Sequence, residues 1–464
     1  GTNELIGTNP SNIKPALDKL FAGKWKKGGI PPLWDGKAAE RIVNVLSTTL
    51  WFMATWLTES NHDKANKVIL FLISPFLAFV YSLKRIKTKS SYVVFFLFSI
   101  FFGIAFTVQS GKRGDAYIDS VSYRELFEQY KFVSHQEFIK NFKDFLTFSE
   151  GKKDYYFDTV AFYVSRITDN YHVMFMVFAA VFAFFSLKTF KFLTSEDNFD
   201  ASLSCYILAY LFMINQIFNI NGMRFWTAAW IAVYAIFQIF KNNNKKYFLL
   251  ALITPFFHGA YWIYLAVIVI AYFFKNYSKL WIVLFFISFL VSNISIDLIY
   301  SLTDKLPLFL ADMALSYTDP EYVELRRSAG SGLSWLAEIF NFLVRFYMNF
   351  MVYLFIRNSE MINNNQKTQN LFSFLLVWMT FVNFTMPVPS LGGRFMTLSY
   401  PLIAYIWLVN FKGKKYTNIL YAMPFVFSAS IFFQLRYYNM VLDPAFYISS
   451  PFYLIYKYLL VWII

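Results

Sequence analysis

Three short motifs set strongly polar groups against apolar runs: Asn221-Gly222-Met223-Arg224, Phe257-His258 and Gly392-Gly393-Arg394. A guanidinium offers paired donors in one plane, which suits phosphate oxygens. Arg224 and Arg394 each stand at an expected helix start, where free backbone N–H groups also favour anions. Several such groups around one cavity would suit a pyrophosphate head. Arg345 and Glu338 lie inside a further apolar run, Trp335–Ile356. An ionisable group at membrane depth costs several kcal/mol and usually has a partner or a purpose. Upstream, Gly111-Lys112-Arg113-Gly114-Asp115 and Asp119-Ser-Val-Ser-Tyr123-Arg124-Glu125-Leu126-Phe127 combine basic, acidic and aromatic side chains. A carboxylate or His there could take a proton from a hydroxyl, and aromatic faces suit sugar rings.

Each candidate also has a structural reading. Arg224 and Arg394 could snorkel at an interface, and Arg345 could pair with Glu338 or Asn341. His258 could serve helix packing, and a solvated loop could contain the Arg113–Phe127 set. His62, His135 and His172 carry no assignment. No HxxE-type zinc pair, Walker loop, Rossmann glycine fingerprint or GxSxG elbow is present, so neither a metal nor a nucleotide cofactor is expected.

The elements that must position these groups are membrane helices. Hydrophobic residues make up 57% of the 464, with 58 Phe. They cluster into runs near the roughly 20 residues a bilayer crossing needs. These are Val68–Leu83, Tyr92–Val108, Tyr171–Leu187, Leu203–Ile220, Phe225–Phe240, Tyr247–Phe274, Leu280–Ile296, Trp335–Ile356, Leu371–Val388, Phe395–Phe411 and Tyr416–Leu435. Phe452–Ile464 spans or re-enters. In lipid only helices satisfy the backbone locally. The expected fold is an all-α polytopic membrane protein with about 11–13 transmembrane or half-spanning helices, by hydrophobic length, and a GT-C-like arrangement is compatible with it.

The net charge of +14 does not point to nucleic acid. The basic residues sit in short loops, at Lys84–Lys89, Lys188/Lys191, Lys241/Lys245/Lys246, Lys275/Lys279, Arg357/Lys367 and Lys412/Lys414/Lys415, which the positive-inside bias puts in the cytoplasm. Tyr247–Phe274 has basic residues at both ends and is too long for one untilted helix. With Pro255, His258 and Gly259 near its middle, it is expected to form two arms meeting at a turn; a single kinked, tilted helix is the alternative. Gln109–Asn170, the Asn221 region, Tyr300–Ser334 and Pro387–Arg394 then lie outside. The spacing Tyr123, Phe127, Tyr130 and Phe138, Phe142, Phe145 suggests amphipathic helices lying on the membrane surface. The lone cysteine, Cys205, excludes an internal disulfide.

Residues 1–46 differ in character. The stretch GTNPSNIKPALDKLFAGKWKKGGIPPLWDGKAAERIVNVL, above all IPPLWDGKAAERIV, resembles the C-terminal end of the non-hydrolysing UDP-N-acetylglucosamine 2-epimerases. It lacks that family's nucleotide-binding domains and catalytic residues, so no epimerase activity is expected. The domain expectation is an epimerase-like tail over 1–52 and a transmembrane domain over 53–464, with outer loops 109–170 and 300–334. A membrane protein starting at Met53 is the matching expectation.

The order of the remaining motifs resembles the EpsG-like polysaccharide polymerases, related in role to the Wzy O-antigen polymerases. The matching pieces are Asp119-xxx-Tyr123-xxx-Phe127, Asn221-Gly-Met-Arg224, Phe257-His258 and Arg394-Phe-Met-Thr-Leu-Ser-Tyr400, across about residues 65–440. The resemblance implies a bacterial cytoplasmic-membrane glycosyltransferase with its site facing the exterior. It would join repeats of O-antigen, capsule or exopolysaccharide carried on polyprenyl pyrophosphate. His258 is then the first candidate for base or acceptor orienter and Asp119 the second. Arg113, Tyr123, Arg224, Arg345 and Arg394 would bind substrate. Partners would be the lipid-linked oligosaccharide, membrane lipid, a chain-length regulator and a flippase. A flippase or transporter of the same glycan is the main rival, although no internal repeat is visible. A membrane O-acyltransferase, which also uses an intramembrane His, is the third option.

Overall fold

The computed structural model describes residues 5–25, 27, 59–108, 119–149, 153–289, 311, 334–388 and 391–461. Two compact units divide at Thr55 and Trp56. In the first, a 3-10 turn, Pro10–Asn12, leads into helix Ile13–Phe21. The Asn9 side chain caps that turn by accepting from the Ser11 amide at 3.1 Å. Arg113 and the outer loop 300–334 fall almost wholly outside the described residues, as does the epimerase-like core sequence 30–43.

Among the described residues the second unit is helical throughout. Three apolar helical stretches are long enough to cross a membrane: Tyr171–Thr194, Leu203–Lys241 and Glu338–Arg357. A fourth appears if Lys414–Val426 and Ser428–Val441, bent by 48°, count as one. Other apolar helices are shorter, among them Lys89–Ala105, Tyr261–Phe274, Ser278–Ile287 and Gln369–Phe384.

Several long runs are broken by local chemistry. Val68–Leu83 is divided between helices Asn61–Ile73 and Pro75–Ser82. Ser74 is extended, its hydroxyl accepts from the amides of Phe76 and Leu77, and Pro75 needs no N–H partner at a first helical position. Leu203–Lys241 is interrupted by the 3-10 turn Ile217–Gly222 and doubles back there. Phe212 packs on Trp230 and Phe237, and Lys241 returns to within 3.6 Å of Glu196.

Tyr247–Phe274 forms helices Phe248–Phe257 and Tyr261–Phe274. Phe248, which opens the first arm, meets Tyr272 near the end of the second with ring centroids 5.1 Å apart. The run is therefore a hairpin with His258 at its turn, and both ends return to the same end of the molecule.

That end gathers several of the basic loops. Lys367 Nζ lies 2.6 Å from the Glu196 carboxylate, Tyr405 OH donates to it at 2.7 Å, and Lys87 Nζ donates to the Glu196 carbonyl at 3.0 Å. Burial would raise the Glu196 carboxyl, but the bonds from Lys367 and Tyr405 and the charge of Lys241 hold it below its ordinary range. Nearby, the buried Lys67 ammonium lies within 2.9 Å of side-chain oxygens of Glu59, Thr88, Ser90 and Ser91, tying helix Asn61–Ile73 to the start of Lys89–Ala105. Helices Lys89–Ala105 and Tyr171–Thr194 pack backbone to backbone: a Cβ on Gly103 would lie 2.6 Å from the Phe175 carbonyl.

The outer helices differ from expectation. Asp119–Tyr130 and His135–Leu146 form as helices, but protein covers their aromatic stripes, while Leu126, Ile139 and Leu146 stay exposed. Tyr123 and Phe127 enter the main core, while Phe138 and Phe145 pack with Tyr155 and Phe162. Tyr155 OH donates to the Phe138 carbonyl at 2.5 Å. The aromatic stripe serves a local core rather than a membrane surface.

Candidate functional site

Arg224 lies at the opposite end of its helix from Lys241, about 25 Å away at 1.5 Å per residue. Its guanidinium joins two segments of the outer region. Nε donates to the Tyr123 hydroxyl at 3.0 Å, and Nη1 lies 3.2 Å from both Asp154 carboxylate oxygens. The guanidinium also sits 5.5 Å from the Tyr123 ring centre. Nη2 has no partner among the described residues, and 36% of the side chain is exposed.

Tyr123 is placed by helix Asp119–Tyr130, with its ring 5.0 Å from Phe157 on helix Tyr156–Ser165. Asp154 lies two residues before the latter helix. The Tyr155 amide donates to the Phe256 carbonyl at 2.9 Å, which fastens this segment to the hairpin turn. The fit leaves no room for a side chain at 259, because a Cβ there would lie 2.8 Å from the Lys153 carbonyl. Asp154 is 7% exposed. Burial pushes its carboxyl up, and the Arg224 charge opposes that rise.

Phe225 is the common neighbour of the remaining groups. The His258 ring meets it edge-on at 5.3 Å, Tyr261 lies at 5.2 Å and Phe395 at 5.4 Å. Tyr261 OH donates to the Phe225 carbonyl at 3.0 Å. The Arg394 guanidinium lies 5.6 Å from the Phe225 ring centre. Among the described residues Arg394 has neither a carboxylate nor a hydrogen-bond partner. His258 and Arg394, from two separate motifs, thus meet around the Phe225 ring, and the charges of Arg394 and of Arg224, the residue before Phe225, both act on His258.

His258 Nδ1 accepts from the Ala260 amide at 3.2 Å. A ring nitrogen that accepts an N–H carries no proton, so the neutral ring has its proton on Nε2 and presents a donor there. This arrangement suits orienting an oxygen better than taking up a proton.

Arg394 does not open the long helix expected over Phe395–Phe411. It lies in a separate helix of 5 residues, Gly392–Met396, and the longer helix begins at Ser399. Such a short helix adds little at its N-terminus, so Arg394 acts through its own charge. The short helix is held tightly: a Cβ on Gly392 would lie 2.5 Å from Met386 Cα, and Trp378 Nε1 donates to the Phe395 carbonyl at 3.2 Å.

The other sequence candidates stand apart or outside. Asp119 begins the Tyr123 helix one turn earlier, and its side chain lies outside the described residues, as does Arg113. Arg345 lies elsewhere, with Nε donating to the Asn341 carbonyl at 3.3 Å and no Glu338 contact. Sequence reasoning missed Asp154, Phe225 and Tyr261. Phe225 directly follows a motif and was within reach. Asp154 follows Lys152 and Lys153 in a stretch of mixed charge, where nothing marks it as buried.

The model of one family, described as the EpsG family, matches residues 93–450, which include Tyr123, Asp154, Arg224, His258, Arg345 and Arg394. No curated protein and no solved structure matches the chain.

Proposed function

The chain belongs to the EpsG family, and on that premise we propose that it polymerises lipid-linked oligosaccharide repeats. The observation that carries the reading is the meeting of His258 and Arg394 around Phe225, with the charge of Arg224 also reaching His258, at the end remote from the Glu196 lysines. With the basic loops in the cytoplasm, this end faces the exterior of a bacterial cytoplasmic membrane.

In the proposed reaction the donor glycan is bonded through its anomeric carbon to a polyprenyl pyrophosphate. The acceptor is a sugar hydroxyl of a second lipid-linked repeat. The hydroxyl oxygen forms the new glycosidic bond as the bond to the pyrophosphate oxygen breaks, and the bonding pair leaves with polyprenyl pyrophosphate. Arg394, with no carboxylate partner among the described residues, stabilises the charge developing there. Arg224 adds its free Nη2 edge, while Asp154 and Tyr123 fix its position. His258 Nε2–H orients an oxygen of donor or acceptor. The hydroxyl proton goes to a carboxylate. Asp154 is occupied by Arg224, and we assign the base to Asp119, one turn before Tyr123 on the same helix.

The test is gel analysis of surface glycan from cells carrying Arg394→Ala or Arg224→Ala. Polymer should fall by about tenfold or more in both, with single repeats accumulating. Wild-type polymer lengths in both would end the assignment. Loss of all exported repeats would instead favour a flippase, and unchanged lengths lacking acetyl groups an acyltransferase.

A further inference from the structure

Helices Ser278–Ile287 and Ser334–Arg357 form the walls of a groove of about 780 Å³. Its walls are aromatic, with Phe286 and Tyr353 6.5 Å apart across it and Phe342 and Phe346 along one side. Phe286, Phe342 and Phe346 are 44%, 63% and 62% exposed, so the groove opens sideways, toward what would be lipid. Among the described residues, Arg345 is the only charged one lining it. Apart from the Nε bond to Asn341, its guanidinium has no partner among the described residues.

An arginine in an apolar groove at membrane depth calls for an anion. The other large apolar cavity, about 520 Å³, makes no such demand. It has no charged lining residue among those described, and its polar end is closed by Tyr210, Gln216, Gln434 and Tyr438 bonding one another. The floor of the aromatic groove includes Met386, the residue on which Gly392 rests. The groove therefore abuts the turn that carries Arg394.

We propose that this groove is a second lipid site, separate from the Arg224–His258–Arg394 cluster, and that it holds the apolar chain and phosphate head of the second lipid-linked repeat, with Arg345 on the head. The proposal rests on the polymerase reading, because that reaction brings two lipid phosphates together. At the first cluster Asp154 already neutralises Arg224, so Arg394 is the one cation there without a carboxylate among the described residues. A second anionic head needs a charge of its own, and Arg345 supplies it across the Met386 turn.

The test uses the full chain purified in detergent, with farnesyl diphosphate as the probe and native mass spectrometry counting bound molecules. Wild type should bind two. Arg345→Ala and Arg394→Ala should each bind one, with affinity for the lost molecule down about tenfold or more, and the double variant none. The single molecule retained by Arg345→Ala also shows that this variant is folded. Two molecules still bound to Arg345→Ala would overturn the groove assignment, as would loss of both. If phosphatidylglycerol displaced only the Arg345-dependent molecule, the groove would be a site for bulk lipid, and the proposal would fail. Wild type binding one molecule through Arg394 would sink this inference and leave the polymerase reading standing. Wild type binding none would count against both.

Discussion

Arg224 and Asp154, 70 positions apart in the chain, meet at 3.2 Å to form the ion pair that joins the outer segment to the helix behind the His258 turn. The two residues act as a unit, so their removals should not add. Asp154→Ala and Arg224→Ala should each lower polymer yield by about tenfold or more, and the double variant should fall no further than the worse single. Gel densitometry of surface glycan, normalised to membrane protein, measures this. Wild-type yield in Asp154→Ala, or losses that simply multiply, would rule the unit out.

Two adjacent glycines should behave oppositely. Gly392→Ala drives a Cβ into the Met386 backbone, whereas a Cβ on Gly393 meets nothing within 4 Å among the described residues. Overpacking of this kind costs about 1–3 kcal/mol, and here it falls on the short helix that carries Arg394. Polymer should be lost in Gly392→Ala and retained in Gly393→Ala at equal expression. Equal activity of the two variants would show that the seat of Arg394 does not matter.

The His258 tautomer makes its own prediction. Gln can place an N–H donor near the position of Nε2, and Phe cannot. His258→Gln should retain measurable polymerisation, and His258→Phe should have none. Equal loss of polymerisation in both variants would overturn the donor role and return His258 to the role of base.

Glu196 predicts a pH dependence of stability. Its carboxyl lies below the ordinary value of 4.5 in the folded chain. A depressed value means that the stabilisation is complete above 4.5 and is lost as pH falls through the folded value. The melting temperature of the purified chain should therefore drop below about pH 4.5. Glu196→Gln should lose about 2 kcal/mol at neutral pH and show a shallower acid slope. A variant with the wild-type slope would remove Glu196 from the account.

The sequence made some parts of this arrangement legible. Arg224, His258 and Arg394 stand out because ionisable groups are rare beside apolar runs, and their rarity marks them whatever the fold. The hairpin was legible because basic residues at both ends of Tyr247–Phe274 demand that the chain turn back. The break falls after Phe257, so Pro255 stays inside the first arm. The Ser74–Pro75 break has an equally local cause, a capping hydroxyl followed by a proline, inside a run whose apolar composition masks it. Asp154 was not legible. A carboxylate beside two lysines looks solvated, and its burial depends on Gly259 and Phe256 arriving from about a hundred residues away by chain position. The Phe138–Phe145 stripe gives the right helix but not its cover, because periodicity reports an apolar face and not what lies against it.

The hairpin has a consequence for the surrounding bilayer. Its arms of 10 and 14 residues reach about 15 and 21 Å at 1.5 Å per residue, short of the roughly 30 Å hydrocarbon thickness. Lipid beside them faces a wall that stops partway, and it must thin to match. On the proposed membrane placement, the molecule would cut a notch in the bilayer around it. A polar sugar could be lowered into that notch while its isoprenoid anchor remained in the oil, so neither end of the substrate would have to leave the solvent it prefers.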